Sequence, residues 1–166
     1  ADTKYYTHGL HSYPAMMIPQ VAARLIKENL GNGDTVLDPF CGSATVLVES
    51  MLVHKESFGI DINPLTKIIA ESKTAIYDID ELKEIYYDLI DKVEATGSIK
   101  SPNFFNIDFW FKSKAIEDLS KIKSAVNKVP KEFKPFFLTC FSETVRKASN
   151  VRQSGFAKAV SAASFA

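Results

Sequence analysis

Hydrophobic and polar positions alternate along this chain in two different periods, and the change of period marks its elements. Gln20 to Leu30 carries Val21, Ala22, Leu25, Ile26 and Leu30 at helical spacing, and Gly31 is placed to cap that helix. Val36 and Leu37 then form a short apolar run between the turn formers Gly31-Asn-Gly-Asp34 and Asp38-Pro39, the pattern of a buried parallel strand. Pro39 cannot donate to a sheet and Gly42 frees the backbone to turn. Ser43 is a candidate N-cap for a helix with Ala44, Leu47, Val48, Met51 and Leu52 on one side. Ser57-Phe-Gly-Ile-Asp61 repeats the strand pattern and ends on an acid, and Asn63-Pro64 opens another helix over 64–77 with Leu65, Ile68, Ile69 and Ile76 inward.

Beyond this point the pattern is helical. Asp80 to Ala95 places Leu82, Ile85, Tyr86, Leu89, Ile90 and Val93 inward, with Asp80, Glu81 and Glu84 near the N-terminus, where the macrodipole favours acids. Gly97 to Asn103 is the clearest break. Phe104-Phe-Asn-Ile-Asp-Phe-Trp-Phe111 is strongly aromatic and reads as an anchor for a helical insertion before it reads as a base-stacking surface. Lys114 to Val129 is amphipathic, with Ile116, Leu119, Ile122 and Val126 inward. Pro130 and Pro135 bracket the start of a last helix bearing Phe136, Phe137, Leu138, Cys140 and Phe141. The strand-bearing portion is therefore 1–95, the helical continuation 96–150, and 151–166 a basic tail of low complexity.

Composition narrows the function classes. At 166 residues and 46% hydrophobic, the chain has material for one ordinary core. Lys plus Arg equals Asp plus Glu at 20 each, so a polyanion would have to meet a local patch. One such stretch runs from Thr144 onward: Arg146, Lys147, Arg152 and Lys158 with no acid, which suits a phosphate-facing edge. Cys41 and Cys140 lack metal-ligand spacing, so no metal is expected and both read as free thiols in a reducing, cytoplasmic setting. No run is long and apolar enough to suggest a membrane span.

The chemistry gathers at the strand ends. Strand, small-residue loop and helix N-terminus are how a sheet seats a nucleotide-like ligand at its carboxyl edge. Asp61 follows Asp38 by 23 residues, close to the spacing at which a second-strand acid receives ribose hydroxyls. Neither the Gly-x-Gly-x-x-Gly fingerprint nor a phosphate loop ending in Gly-Lys-Ser/Thr is present.

Asp38-Pro-Phe-Cys-Gly-Ser-Ala-Thr45 resembles the S-adenosylmethionine loop of the DNA amino-methyltransferases, which modify adenine N6 or cytosine N4. Ala44 stands where that family normally has glycine. His11-Ser-Tyr-Pro-Ala-Met-Met-Ile-Pro-Gln20 resembles the segment that closes over the methionine part of the cofactor in the same family, and Gly59 to Pro64 resembles its ribose-binding strand end. The resemblance implies an α/β, Rossmann-like class I methyltransferase fold, with a partial sheet and a helical insertion. It also implies cofactor contacts at His11, Tyr13, Pro14 and Ile18; at Asp38, Pro39, Phe40, Cys41, Gly42, Ser43, Ala44 and Thr45; and at Asp61, Ile62 and Asn63. Arg146, Lys147 and Arg152 would face double-stranded DNA, as in a modification enzyme of a restriction–modification system. His11 reads as a lid residue rather than a catalytic base, since nothing close in sequence pairs with it.

The family's catalytic motif, Asp, Asn or Ser before Pro-Pro and an aromatic residue, has no counterpart here, because the chain contains no Pro-Pro pair. That motif orients the weakly nucleophilic target amine and holds the flipped base. The catalytic residues are therefore expected on a missing segment or a second polypeptide. Two other readings remain: an RNA guanine-N2 methyltransferase fragment, and a non-catalytic subunit that keeps a relic of the cofactor fold.

Overall fold

A computed structural model describes residues 2–150. A first compact unit ends at Ala75 and a second begins at Ile76. The first holds the strands and the second is helical, giving an α/β chain.

In the first unit a 3-10 turn at His8–Leu10 precedes α1 (Pro19–Asn29), β1 (Val36–Asp38), α2 (Thr45–Leu52), β2 (Ser57–Gly59) and α3 (Pro64–Thr74). The two strands are parallel, with Val36 opposite Ser57, Leu37 opposite Phe58 and Asp38 opposite Gly59. Their carboxyl ends therefore finish side by side. The ladder continues past the strands: Ile60 N–H donates to the Asp38 carbonyl at 2.9 Å, and Cys41 N–H to the Ile60 carbonyl at 3.0 Å. α1 packs on α2 through buried Ala22 and Ile26, while α2 buries Leu47 and Val48 and α3 buries Ile69. Asn63 caps α3, its side-chain oxygen accepting from Leu65 N–H at 3.0 Å, and Pro64 occupies the first helical turn, where its missing N–H costs nothing.

Several expectations are corrected here. The strands are parallel but not buried: Leu37 is 62% and Phe58 55% exposed. They sit opposite each other on one face of a sheet that has two strands among the described residues. Ser43 does not cap α2. Ala44 holds the N-cap position in the left-handed region, φ 61° and ψ 27°, with no side-chain cap. The cap of α1 is Leu30 rather than Gly31, and Val21 and Leu25 are exposed because α1 meets α2 along a narrower stripe than the sequence periodicity implies. α3 stops at Thr74, which leaves Ile76 exposed outside the helix.

The second unit comprises α4 (Ile79–Ala95), α5 (Ile107–Trp110), α6 (Ser113–Val126) and α7 (Lys134–Ala148). The Asp78 carboxylate caps α4 by accepting from the N–H groups of Asp80 at 2.9 Å and Glu81 at 3.0 Å. The core is aromatic, with Phe111, Phe133, Phe137 and Phe141 around Leu89, Leu119 and Val145. Phe111, with Phe104, Ile107 and Trp110 against this core, makes the aromatic stretch an anchor; Phe105 and Phe109 face outward. α4 packs on α6, so it groups with the later helices rather than with the strand-bearing portion. Tyr86, expected inward, is exposed.

Candidate functional site

The carboxyl ends of β1 and β2 are joined by one carboxylate. Asp61 Oδ2 accepts from Gly42 N–H at 2.9 Å and Oδ1 from Asn63 N–H at 2.8 Å. The acid after β2 therefore holds the loop after β1. These backbone donors, Asn63 first and Gly42 next, keep the Asp61 carboxyl below the usual carboxylate range despite partial burial. The Thr66 hydroxyl and the Ile62 N–H add smaller hydrogen bonds to the same carboxylate, so an incoming hydroxyl would take the place of one of these donors.

The loop between the strand and α2 is made of tight turns. Phe40 N–H donates to Asp38 Oδ1 at 3.2 Å, which turns the chain at Pro39. Gly42 takes φ 46° and Ala44 φ 61°, two left-handed residues within three positions. Ala44 N–H donates to the Cys41 carbonyl at 2.7 Å. Ser43 Oγ and Thr45 Oγ1 lie 3.0 Å apart, both residues buried. Gly59 has no room for a side chain, because a Cβ there would lie 2.9 Å from Cys41 Sγ and from Leu47 Cδ2. Burial, reinforced by the Asp38 and Asp61 carboxylates, pushes the Cys41 thiol up.

Tyr13 brings the upstream segment onto this loop. Its ring lies 3.4 Å from where a Gly42 Cβ would stand, and its hydroxyl accepts from Asn63 Nδ2 and Thr66 Oγ1, each at 3.4 Å. His11 is buried, whereas Pro14 and Ile18 are exposed; Ile18 and Thr45 line a cavity of about 130 Å³. Phe40, which follows β1, is 87% exposed, and Ile62, which follows β2, is 100% exposed. A second cavity of about 420 Å³ is lined by Cys41, Gly59, Asp61, Thr66 and Ala70.

The proposed nucleic-acid residues fare differently. Arg146 is bound to Glu143, its Nε donating to Oε2 at 2.9 Å, and its side chain is largely buried. Glu143 lies one residue upstream of the acid-free stretch, so the local charge is smaller than counting from Thr144 implies. Lys147 is exposed, and Arg152 lies outside the described residues.

A buried polar cluster behind the loop was not legible beforehand. Glu49 Oε1 receives the Tyr5 hydroxyl at 2.5 Å and stands 2.6 Å from His8 Nε2. Burial first, then the Glu49 carboxylate, pushes the Tyr5 hydroxyl up to about 12. Thr7 Oγ1 donates to the Lys73 carbonyl at 2.9 Å, and Lys73 Nζ donates to the Ser43 carbonyl at 2.9 Å. The available signal was positional: Glu49 follows directly on buried Val48, and Lys73 sits four residues after Ile69 on the same face of α3.

Residues 2–72 match a family described as DNA methylase, of the N6/N4 type. The type II methyltransferase M.MvaI of Kocuria varians is 38% identical over 168 residues, covering 93% of this chain and 37% of that protein. The type II methyltransferase M.MjaII of Methanocaldococcus jannaschii is 42% identical over 89 residues, 54% of this chain and 17% of that protein. A tRNA (guanine(10)-N2)-dimethyltransferase of Methanocaldococcus jannaschii is 33% identical over 82 residues, 49% of this chain and 20% of that protein. No solved structure matches the chain. The chain thus spans little more than a third of the length of M.MvaI and less of the others.

Proposed function

We propose that this chain, whose residues 2–72 match the N6/N4 DNA methylase family, is the S-adenosylmethionine-binding part of a DNA amino-methyltransferase. The observation that carries the proposal is the Asp61 bridge to Gly42 N–H, which sets an ionised acid against a glycine-turned loop at the joined ends of two parallel strands. Asp61 would accept the ribose hydroxyls, a charge-assisted contact. Phe40 and Ile62, both exposed after the strand ends, would cover the faces of a flat purine. The backbone from Asp38 to Thr45 would surround the methionine portion, and His11, Tyr13, Pro14 and Ile18 would close over it. The residues fit such a ligand because the strand ends offer acid, bare backbone and apolar surface together. When bound, the cofactor supplies an electrophilic methyl group.

The two parallel strands would then be neighbours in a larger Rossmann-like sheet. Leu37 and Phe58 are exposed on one face of that pair, where such a sheet is ordinarily covered. The groups that orient the target amine would be supplied by residues other than those of this chain, which has no Pro-Pro-aromatic motif. Double-stranded DNA is the preferred substrate over RNA because the likeness to M.MvaI runs over 93% of the chain, while that to the tRNA enzyme covers 49%.

The test is transfer of labelled methyl from S-adenosylmethionine to mixed-sequence duplex DNA by the full-length protein, with the modified nucleoside identified after digestion. N6-methyladenine or N4-methylcytosine is expected. Label appearing in tRNA and not in DNA would overturn the proposal.

A further inference from the structure

We propose that Lys73 is a positioning residue for the cofactor loop: from α3 its ammonium holds the Ser43 carbonyl, and with it the left-handed turn at Ala44. The inference rests on the loop being a cofactor loop.

A non-glycine residue in the left-handed region is strained, and such a conformation persists only where its surroundings over-determine it. Ala44, at φ 61°, is fully buried and opens α2. The peptide unit entering it is held at both ends. Its N–H, on Ala44, donates to the Cys41 carbonyl at 2.7 Å, and its C=O, on Ser43, accepts from Lys73 Nζ at 2.9 Å. Its orientation is therefore determined from two directions, one within the loop and one from a helix 30 residues away. The peptide two residues earlier is held likewise, with Gly42 N–H on Asp61.

Placing Lys73 there is costly for the fold. The side chain is 0% exposed, and among the described residues no carboxylate lies within 4.0 Å of its ammonium. Burying an ammonium on a neutral carbonyl is an expensive way to satisfy one acceptor. An apolar residue at this position of α3, in line with Ile69, would serve packing alone. The carbonyl it holds belongs to the segment that would surround the methyl donor.

The consequence is a coupling between positions 73 and 44. Glycine occupies the left-handed region without strain, so an Ala44→Gly loop has less need of the ammonium. In the full-length protein, Lys73→Met should weaken S-adenosylmethionine binding about tenfold, as for loss of one hydrogen bond to a charged group. In the Ala44→Gly background the same substitution should cost only about two- to threefold, a departure from additivity that contacting sites show. In turnover, the loss should fall on KM for the methyl donor with kcat little changed. If the methionine variant does not fold, Lys73→Gln, which keeps an N–H donor, carries the same comparison with a smaller loss. Equal losses in both backgrounds, or none, would show Lys73 to be scaffold only. If the unsubstituted protein itself shows no saturable binding, the cofactor reading has failed, which is a different result from failure of the coupling.

Discussion

Asp61 and Lys73 approach the same loop with opposite charge, Asp61 at the Gly42 N–H and Lys73 at the Ser43 carbonyl. Both contacts are with the backbone, so what these residues control is peptide orientation. Burial pushes the Lys73 ammonium down to about 8, from 10.5 when solvated. Between those values the unfolded chain binds more protons than the folded one, so the lysine's contribution to stability rises with pH; below pH 8 the fold carries the full cost of the buried charge. Urea unfolding of the native protein and of Lys73→Met should therefore diverge, the native protein gaining relative to the variant from about pH 8 to about pH 10. A pH-independent difference would show that the ammonium is not desolvated. Asp61 stood out in the sequence because it follows a strand pattern at a recognisable distance from the loop. Lys73 was legible only as a position in line with Ile69: its partner lies 30 residues away, and a lysine on a helix is ordinarily a solvated one.

At the scale of elements, what was legible followed from local turn chemistry. Asp38-Pro39 ends β1, Gly42 turns the loop, and Asn63-Pro64 starts α3, all through contacts between near neighbours. Ser43 fails as a cap because the left-handed turn at Ala44 moves the helix start to Thr45 and leaves Ser43 Oγ paired with Thr45 Oγ1. The buried network of Tyr5, His8 and Glu49 joins segments 41 and 44 residues apart, and no periodicity reports such a contact. The glycines of the strand-loop unit divide by role. Gly59→Ala pushes a methyl onto Cys41 and Leu47 and should lower stability by about 1–3 kcal/mol through overpacking. At Gly42 a Cβ meets ordinary contact distance at Tyr13, so Gly42→Val should cost the left-handed strain, about 1–2 kcal/mol, plus what its γ-methyls displace at the Tyr13 ring, while abolishing cofactor binding. Thermal unfolding and ligand titration on the two variants check the contrast. A Gly42→Val protein that binds the cofactor normally would remove the loop from the site.

For the molecule as a whole, the two compact units differ in how completely they explain themselves. The helical unit has a contiguous aromatic core, and its amphipathic periodicities predicted most of it correctly. The strand-bearing unit leaves Leu37, Phe58, Phe40 and Ile62 exposed, and sequence periodicity described a buried strand that this sheet does not provide. Apolar runs report where a strand belongs in a complete sheet, and two strands cannot bury both faces. The charge balance of 20 against 20 offers no global attraction for DNA, and the pairing of Arg146 with Glu143 weakens the one local patch that includes it. The account therefore stands on the joined strand ends. Its most direct test is calorimetric titration of the protein with S-adenosylmethionine, alone and as Asp61→Ala. Saturable single-site binding is predicted, weakened in the variant by roughly 1–3 kcal/mol, the range for losing a charge-assisted hydrogen bond. No saturable binding, or equal affinity in the two proteins, would contradict it.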